Sequence, residues 1–217
     1  MLAVGMSAAC SENTTIPTRT VAPITGYRAI ARSALFTHPT LPRARRRANR
    51  RRSRRYRGRV TAHLPARSRL VHDSLRAAGI AGDIVVLPDA ASTAALAAQA
   101  LGVEVGAIAN SLVFWSDGAP LLVMTSGAHR VDTAALAARL GRESIKRASA
   151  DQVREATGQA IGGVAPTGHP APLVTIVDED LAGHPEIWAA GGTPHTVFAL
   201  TFEELVRVTG GTVAKVD

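Results

Sequence analysis

Two glycine-rich loops are the places in this chain where residue type and spacing could do chemistry. Gly162-Gly163 precedes Val164-Ala165-Pro166, and Gly191-Gly192 follows Ala190. Glycine lets a backbone come close to a ligand, and freed main-chain N–H groups can hold a carbonyl oxygen or an oxyanion. Taken alone, both loops also read as tight turns. The seven histidines show no HxH or HExxH spacing, and the run Asp178-Glu179-Asp180 has no partnered ligand set, so metal catalysis is not expected. No GxSxG elbow supports a serine triad. Neither GxxxxGK[ST] nor a strand-to-helix GxGxxG occurs, which leaves nucleotide-hydrolase and dinucleotide readings without a motif. His169 and His195 flank the loops and read as surface or internally bonded histidines. Trp115 and Trp188 read as sheet packing, and Asp178 as a strand end that caps the turn after it.

The elements that position these loops alternate helix and strand from Ser68 onward. Leu70, Val71, Leu75 and Ala78 make a helical stripe stopped by Gly79. DIVVL (83–87) reads as a buried strand. Ser92 is placed to cap a helix running through Ala94, Ala97, Ala98 and Leu101 to Gly102. SLVFWSDGAPLLVM reads as a hairpin turning on Asp117-Gly118. Asp132 caps a helix ending at Leu140. Ser149 with Gln152, and Thr201 with Glu204, are capping boxes that open two further helices. LVTIV (173–177), EIWAA (186–190) and TVFAL (196–200) read as strands, and TVAKV (212–216) as an edge strand. Between them GQAIGGVAPTGHPAP is too long for a simple connection, which marks it as a functional loop. One hairpin among alternating elements predicts an α/β fold on a mixed sheet.

Several ordered runs then agree with one family. ALGVEVGAIANSLVF, LLVMTSGAHRVD, ATGQAIGGVAPTGHP, VDEDL and AAGGTPHTVFALTFEELVRVTGG resemble, in that order, the YbaK/EbsC family. That family includes Cys-tRNA(Pro) deacylases and the editing domain of bacterial prolyl-tRNA synthetases. The match spans about residues 68–217. It implies a mixed, partly barrel-like sheet surrounded by helices, whose cleft hydrolyses a small amino acid off a mischarged tRNA in trans. The family's GxxxP pocket motif falls on Gly162–Pro166, which makes Gly162, Gly163, Val164, Ala165 and Pro166 substrate-binding residues, with Ser111, Gly191 and Gly192 beside them. The family's functional lysine falls on Asn110, in Ile108-Ala109-Asn110-Ser111-Leu112, and Ala165 stands where many relatives carry serine. Asn110 is thus the candidate catalytic residue, with neutral hydrogen bonds in place of a cation. The resemblance implies mischarged tRNA as partner, an aminoacyl-tRNA synthetase that could hold that tRNA, no cofactor and a cytoplasmic setting. Asn110 also supports a second reading, a member that has lost catalysis and binds an aminoacyl or nucleotide-like ligand or a protein partner.

Composition sets the outer bounds. The chain has 217 residues, 46% apolar and 19% charged, with a formal charge of +8. Residues 1–60 hold 14 Arg and one acidic residue, whereas residues 61–217 hold 11 basic and 16 acidic residues, a net −5. A basic, nucleic-acid-coating protein is therefore excluded as a description of the whole. The first 60 residues read as a disordered Arg-rich tail on a domain spanning 61–217. Three origins stand open for that tail: translation begun upstream of the true start, a nonspecific RNA-binding arm, or a targeting segment. Cys10 is the only cysteine, which excludes an intrachain disulfide. No run of 18 apolar residues occurs, so no ordinary transmembrane helix is expected.

Overall fold

Helix ends in this chain are written locally, and most fall where their capping chemistry demands. The computed structural model describes residues 64–217; the tail over 1–60 and the boundary at residue 61 lie outside the described residues. Helix α1 (Ala66–Ala77) follows Pro65. Helix α2 spans Ala94–Leu101, α3 Thr133–Leu140, α4 Ala150–Thr157 and α5 Phe202–Thr209. Asp132 accepts from the N–H groups of Ala134 and Ala135, and both capping boxes close in both directions. The cap of α2 is Thr93 rather than Ser92: the Thr93 hydroxyl accepts from Leu96 N–H at 3.3 Å. Serine is the slightly better cap of the two, but it is Thr93, with its extended backbone, that stands directly before the first helical residue.

Eight strands form one mixed sheet: β1 (Val85–Val86), β2 (Ile108–Ser116), β3 (Ala119–Ser126), β4 (Ile145–Arg147), β5 (Val174–Asp178), β6 (Ile187–Ala190), β7 (Thr196–Leu200) and β8 (Thr212–Ala214). Their order is β1-β7-β6-β2-β3-β5-β8, with β4 on β2. Pairs β2·β6, β3·β5 and β5·β8 are parallel and the rest antiparallel. The β2–β3 hairpin turns on Asp117 and Gly118, at φ 50° and 82°. Both lie in the left-handed region, as a two-residue turn matched to the strand twist requires. β4 and a 3₁₀ turn at Val105–Ala107 are elements the sequence reading did not contain. β4 is three residues long with one apolar side chain, so it carries no period, and only its partner β2 creates it.

Apolar side chains gather in three clusters that sandwich the sheet. The largest joins Val71 and Leu75 of α1, Val153 of α4 and Leu205 of α5 to Val113, Leu122, Met124, Val177 and Phe198 of the strands. A second lies under α2 around Ile108, Trp188 and Val197, and a third under α3 around Phe114, Val123, Leu136 and Ile176. Val164 and Ala165, in the middle of the glycine-rich loop, belong to the first cluster. The loop is thus pinned at its centre, where burial of a valine side chain contributes about 1.5–3 kcal/mol. Among the described residues no helix is long and apolar enough to cross a membrane.

Candidate active site

Strand β2 creates the site by being incompletely paired. β3 runs along one of its edges from Ala109↔Ser126 to Ser116↔Ala119. The other edge is divided: β6 pairs at Ile108 and Ala109, and β4 at Phe114 to Ser116. Between them no strand lies beside Asn110–Val113. The Ile108 carbonyl accepts from Gly127 N–H, on the β3 side. By the antiparallel alternation, even-numbered residues of β2 turn their backbone polar groups toward β3 and odd-numbered residues toward the divided edge. The Val113 carbonyl is taken by Ala148 N–H at 3.3 Å. Ser111 is left with its N–H and C=O facing the gap.

A cleft of about 200 Å³ opens there. Asn110 and Ser111 line it from β2, Ala189 and Ala190 from β6, and Ser92 and Thr93 from the start of α2. Thr193, Pro194 and Thr196 form another wall, and Ile161, Gly162 and Val164 bring in the glycine-rich loop. Arg147 on β4 is the charged residue of the lining. The Asn110 carboxamide is half-buried and has no hydrogen-bond partner among the described residues, while the Ser111 hydroxyl donates to Met124 Sδ at 3.3 Å.

The structure sorts the remaining sequence candidates into two groups. Gly162 and Val164 line the cleft. Gly163, Ala165, Pro166, Gly191 and Gly192 are buried behind it. Several of their N–H groups are already engaged: Gly163 donates to the Ala160 carbonyl, Ala165 to Gln159 Oε1 at 2.6 Å, and Gly191 to the Thr196 carbonyl. Within the Gly162–Pro166 motif, the N–H groups with no partner among the described residues are therefore those of Gly162 and Val164. Gly191 and Gly192 pack against Thr196, Ile84, Val71 and the Arg67 backbone, so their lack of a side chain serves close packing.

Gln159, which the sequence reading passed over, holds the loop's shape. It is 3% exposed, accepts from Ala165 N–H, and donates from Nε2 to the Thr167 carbonyl at 3.3 Å. It spans the motif from one side to the other. From the far end His169 donates through Nε2–H to the Ala165 carbonyl at 2.9 Å. A second recess, of about 530 Å³, lies along Pro166–Leu173 against Arg67 and Leu70.

Behind Asn110 lies a buried polar corner. Asn110 pairs in register with Thr125. The Thr125 hydroxyl, the Ser126 N–H and His129 Nδ1 all meet Asp178 Oδ2, at 3.3, 2.9 and 3.0 Å. Asp178 Oδ1 also accepts from Asp180 N–H, the turn-capping role its position suggests. His129 Nε2 lies 3.2 Å from Asp180 Oδ2. The expectation that the acidic run has no partnered ligand set is thereby corrected: the chain returns a histidine from 49 residues away. The ligand atoms of His129, Asp178 and Asp180 fall within 4.8 Å of one another. Each ring nitrogen already faces a carboxylate, so this trio closes on itself and anchors the ends of β3 and β5.

Burial pushes His169 below its ordinary value of 6.5, against the opposing bond to the Ala165 carbonyl. Burial likewise lowers His184, against the nearby charges of Glu104 and Asp180. For a lowered histidine the unfolded chain binds more protons between the two values, so stability rises with pH across that window. The two histidines' contribution is complete above about pH 6.5 and is lost as the pH falls from there toward the lowered values. We expect Tm to be flat from pH 7 to 8 and to drop toward pH 5, with part of the drop abolished in His169→Gln. An identical pH profile in the variant would contradict this assignment.

Comparison with known proteins places this geometry. The family profile for the aminoacyl-tRNA editing domain matches residues 88–208. A crystal structure of a candidate trans-editing enzyme for prolyl-tRNA synthetase is 43% identical, with a TM-score of 0.67, covering 71% of this chain and 99% of that one. The structure of hypothetical protein APE2540 is 28% identical at a TM-score of 0.63, covering 68% and 98%. An uncharacterized protein of Bacillus subtilis (strain 168), YwhH, is 28% identical over 124 residues, which is 57% of this chain and 78% of that protein. The mixed sheet, the glycine-rich loop seated against it and the profile spanning more than half of the sequence agree: this chain belongs to the YbaK-like aminoacyl-tRNA editing domain family.

Proposed function

We propose that this chain hydrolyses the ester of a mischarged tRNA carrying a small amino acid, acting in trans and in the cytoplasm, with residues 61–217 as the editing unit. One observation carries the reading. Asn110, Ser111, Gly162 and Val164 border one cleft at the gap in β2, and the N–H groups of Gly162 and Val164 have no partner among the described residues. An aminoacyl ester is already activated, so catalysis needs a positioned water and stabilisation of the developing oxyanion. Water adds to the carbonyl carbon, the oxyanion settles on the N–H groups of Gly162 and Val164, and the ribose oxygen leaves with a proton. The Asn110 carboxamide orients the water or the amino acid's polar groups. Ser111 offers a carbonyl to the α-ammonium. Walls built from Ala190, Thr193 and Val164 leave room for short side chains and exclude larger ones by size.

The partner is mischarged tRNA. Because the body carries a net −5, an aminoacyl-tRNA synthetase that presents the tRNA fits the charge balance. The test is deacylation of a panel of mischarged tRNAs by the full chain. Release of at least one small amino acid well above the spontaneous rate is expected, and no acceleration for any would overturn the reading. Asn110 in the lysine position favours one alternative, a family member that binds an aminoacyl ligand without turning it over. That alternative predicts stabilisation by RT ln(1 + [L]/Kd) with nonhydrolysable aminoacyl-adenosine analogues, and no release of amino acid.

A further inference from the structure

Resting on the editing reading, the geometry points to Arg147 as the phosphate-binding residue of the cleft, holding the phosphate on the 5′ side of the terminal nucleotide. The polar groups around the cleft are otherwise neutral: Ser92, Thr93, Asn110, Ser111, Thr193 and Thr196. An aminoacylated 3′ end carries one fixed negative charge per phosphodiester, and a neutral lining offers it hydrogen bonds but no opposite charge. Arg147 is exposed and, among the described residues, has no ion pair or hydrogen-bonded carboxylate. Six other basic side chains, His72, Arg76, His129, Arg142, Arg154 and Lys215, each have an acidic neighbour.

Position follows from register. Arg147 pairs with Phe114, three residues along β2 from Ser111, a separation of about 10 Å at ~3.4 Å per residue. One nucleoside and an extended guanidinium bridge such a span, so the carbonyl can sit at Ser111 and Gly162 while the phosphate meets Arg147. Guanidinium geometry suits two phosphate oxygens at once. The neighbouring Lys146 pairs with Trp115 and, by strand alternation, points to the opposite face; it does not line the cleft. The pair therefore forms an internal control, with equal charges one residue apart and one of them placed on the cleft.

The experiment compares two probes, 3′-deoxy-3′-(L-alanylamino)adenosine and its 5′-phosphate, binding to the full chain by calorimetry. The phosphorylated probe should bind the wild type about five-fold tighter, an advantage lost in Arg147→Ala, reversed in Arg147→Glu and kept in Lys146→Ala. Deacylation should show the same residue in KM rather than kcat. With a tRNA acceptor-stem hairpin ending in a single-stranded CCA, the slope of log K against log salt should shrink by about 0.7 on losing this contact. Equal binding of the two probes by wild type, or equal weakening of both by Arg147→Ala, would overturn the assignment while leaving the editing reading intact. Binding of neither probe, with no turnover, would overturn the editing reading and this inference together. Arg147 is exposed, so unchanged Tm values verify that the variants fold.

Discussion

Gly163→Ala is expected to lower Tm by roughly 6–12 °C and to cut deacylation at least ten-fold at temperatures where the variant remains folded. A Cβ at Gly163 would stand 2.6 Å from the Cα and carbonyl carbon of Thr193 and 2.8 Å from Pro194 N. These are backbone atoms, so no side chain can swing away, and the two loops must separate. Overpacking of this kind costs about 1–3 kcal/mol, and rigid backbone on the far side puts this site near the upper end. For a domain of this size each kcal/mol is worth about 2–4 °C. The same separation moves Gly162 and Val164 relative to Thr193 and Pro194, which line the same cleft. Gly162→Ala is the informative contrast. Its Cβ would meet nothing closer than 3.6 Å, but its φ of 85° makes the residue strained with any side chain. It should lose stability through its own backbone while keeping the loops at their native spacing. Wild-type Tm and rate in Gly163→Ala would show that the loops are not in the contact described.

The parts of this fold that were legible in the sequence are those decided by neighbours a few residues apart. Ser149 with Gln152, Thr201 with Glu204, Asp132 and the Asp117-Gly118 turn each carry their own hydrogen-bond logic, and each forms the expected element. TVFAL occupies the strand predicted for it, over Thr196–Leu200. What stayed hidden depends on partners far along the chain. β4 exists because β2 leaves it an edge, and the cleft exists because β4 and β6 do not meet along that edge. The glycine loops read in the sequence as candidate backbone donors, yet Gln159 and Ala160 already take two of those N–H groups, which no local pattern shows. Gln159 itself has no sequence signal beyond its place in a Gly/Pro-rich run. His129 has none either, because its carboxylate partners lie about fifty residues downstream. Local chemistry writes the elements, and the site arises where the sheet leaves a gap between them.

Replacing Asn110 should change turnover without changing stability. Asn110→Ala is expected to lower kcat ten-fold or more with little change in KM, because the carboxamide acts on the water or the developing charge rather than on the nucleotide. Its amide is half-buried in the cleft and uncommitted among the described residues, so the truncation breaks no structural bond and Tm should hold. Asn110→Lys tests the opposite direction. A hydrogen bond from a charged donor is worth about 1.5–3 kcal/mol against about 0.5–1.5 for a neutral one, and each 1.36 kcal/mol is ten-fold in rate. An ammonium at this position should therefore raise kcat by roughly five- to ten-fold. The surroundings can accommodate it: Thr125 is directly opposite in register, and its hydroxyl lies 3.3 Å from Asp178, a carboxylate only 1% exposed. Unchanged kcat in Asn110→Ala would remove Asn110 from the chemistry and leave catalysis to main-chain donors and the substrate's own groups. Turnover absent in the natural chain but present in Asn110→Lys would instead mark an intact pocket whose chemistry was surrendered at one residue, and the binding reading would then stand.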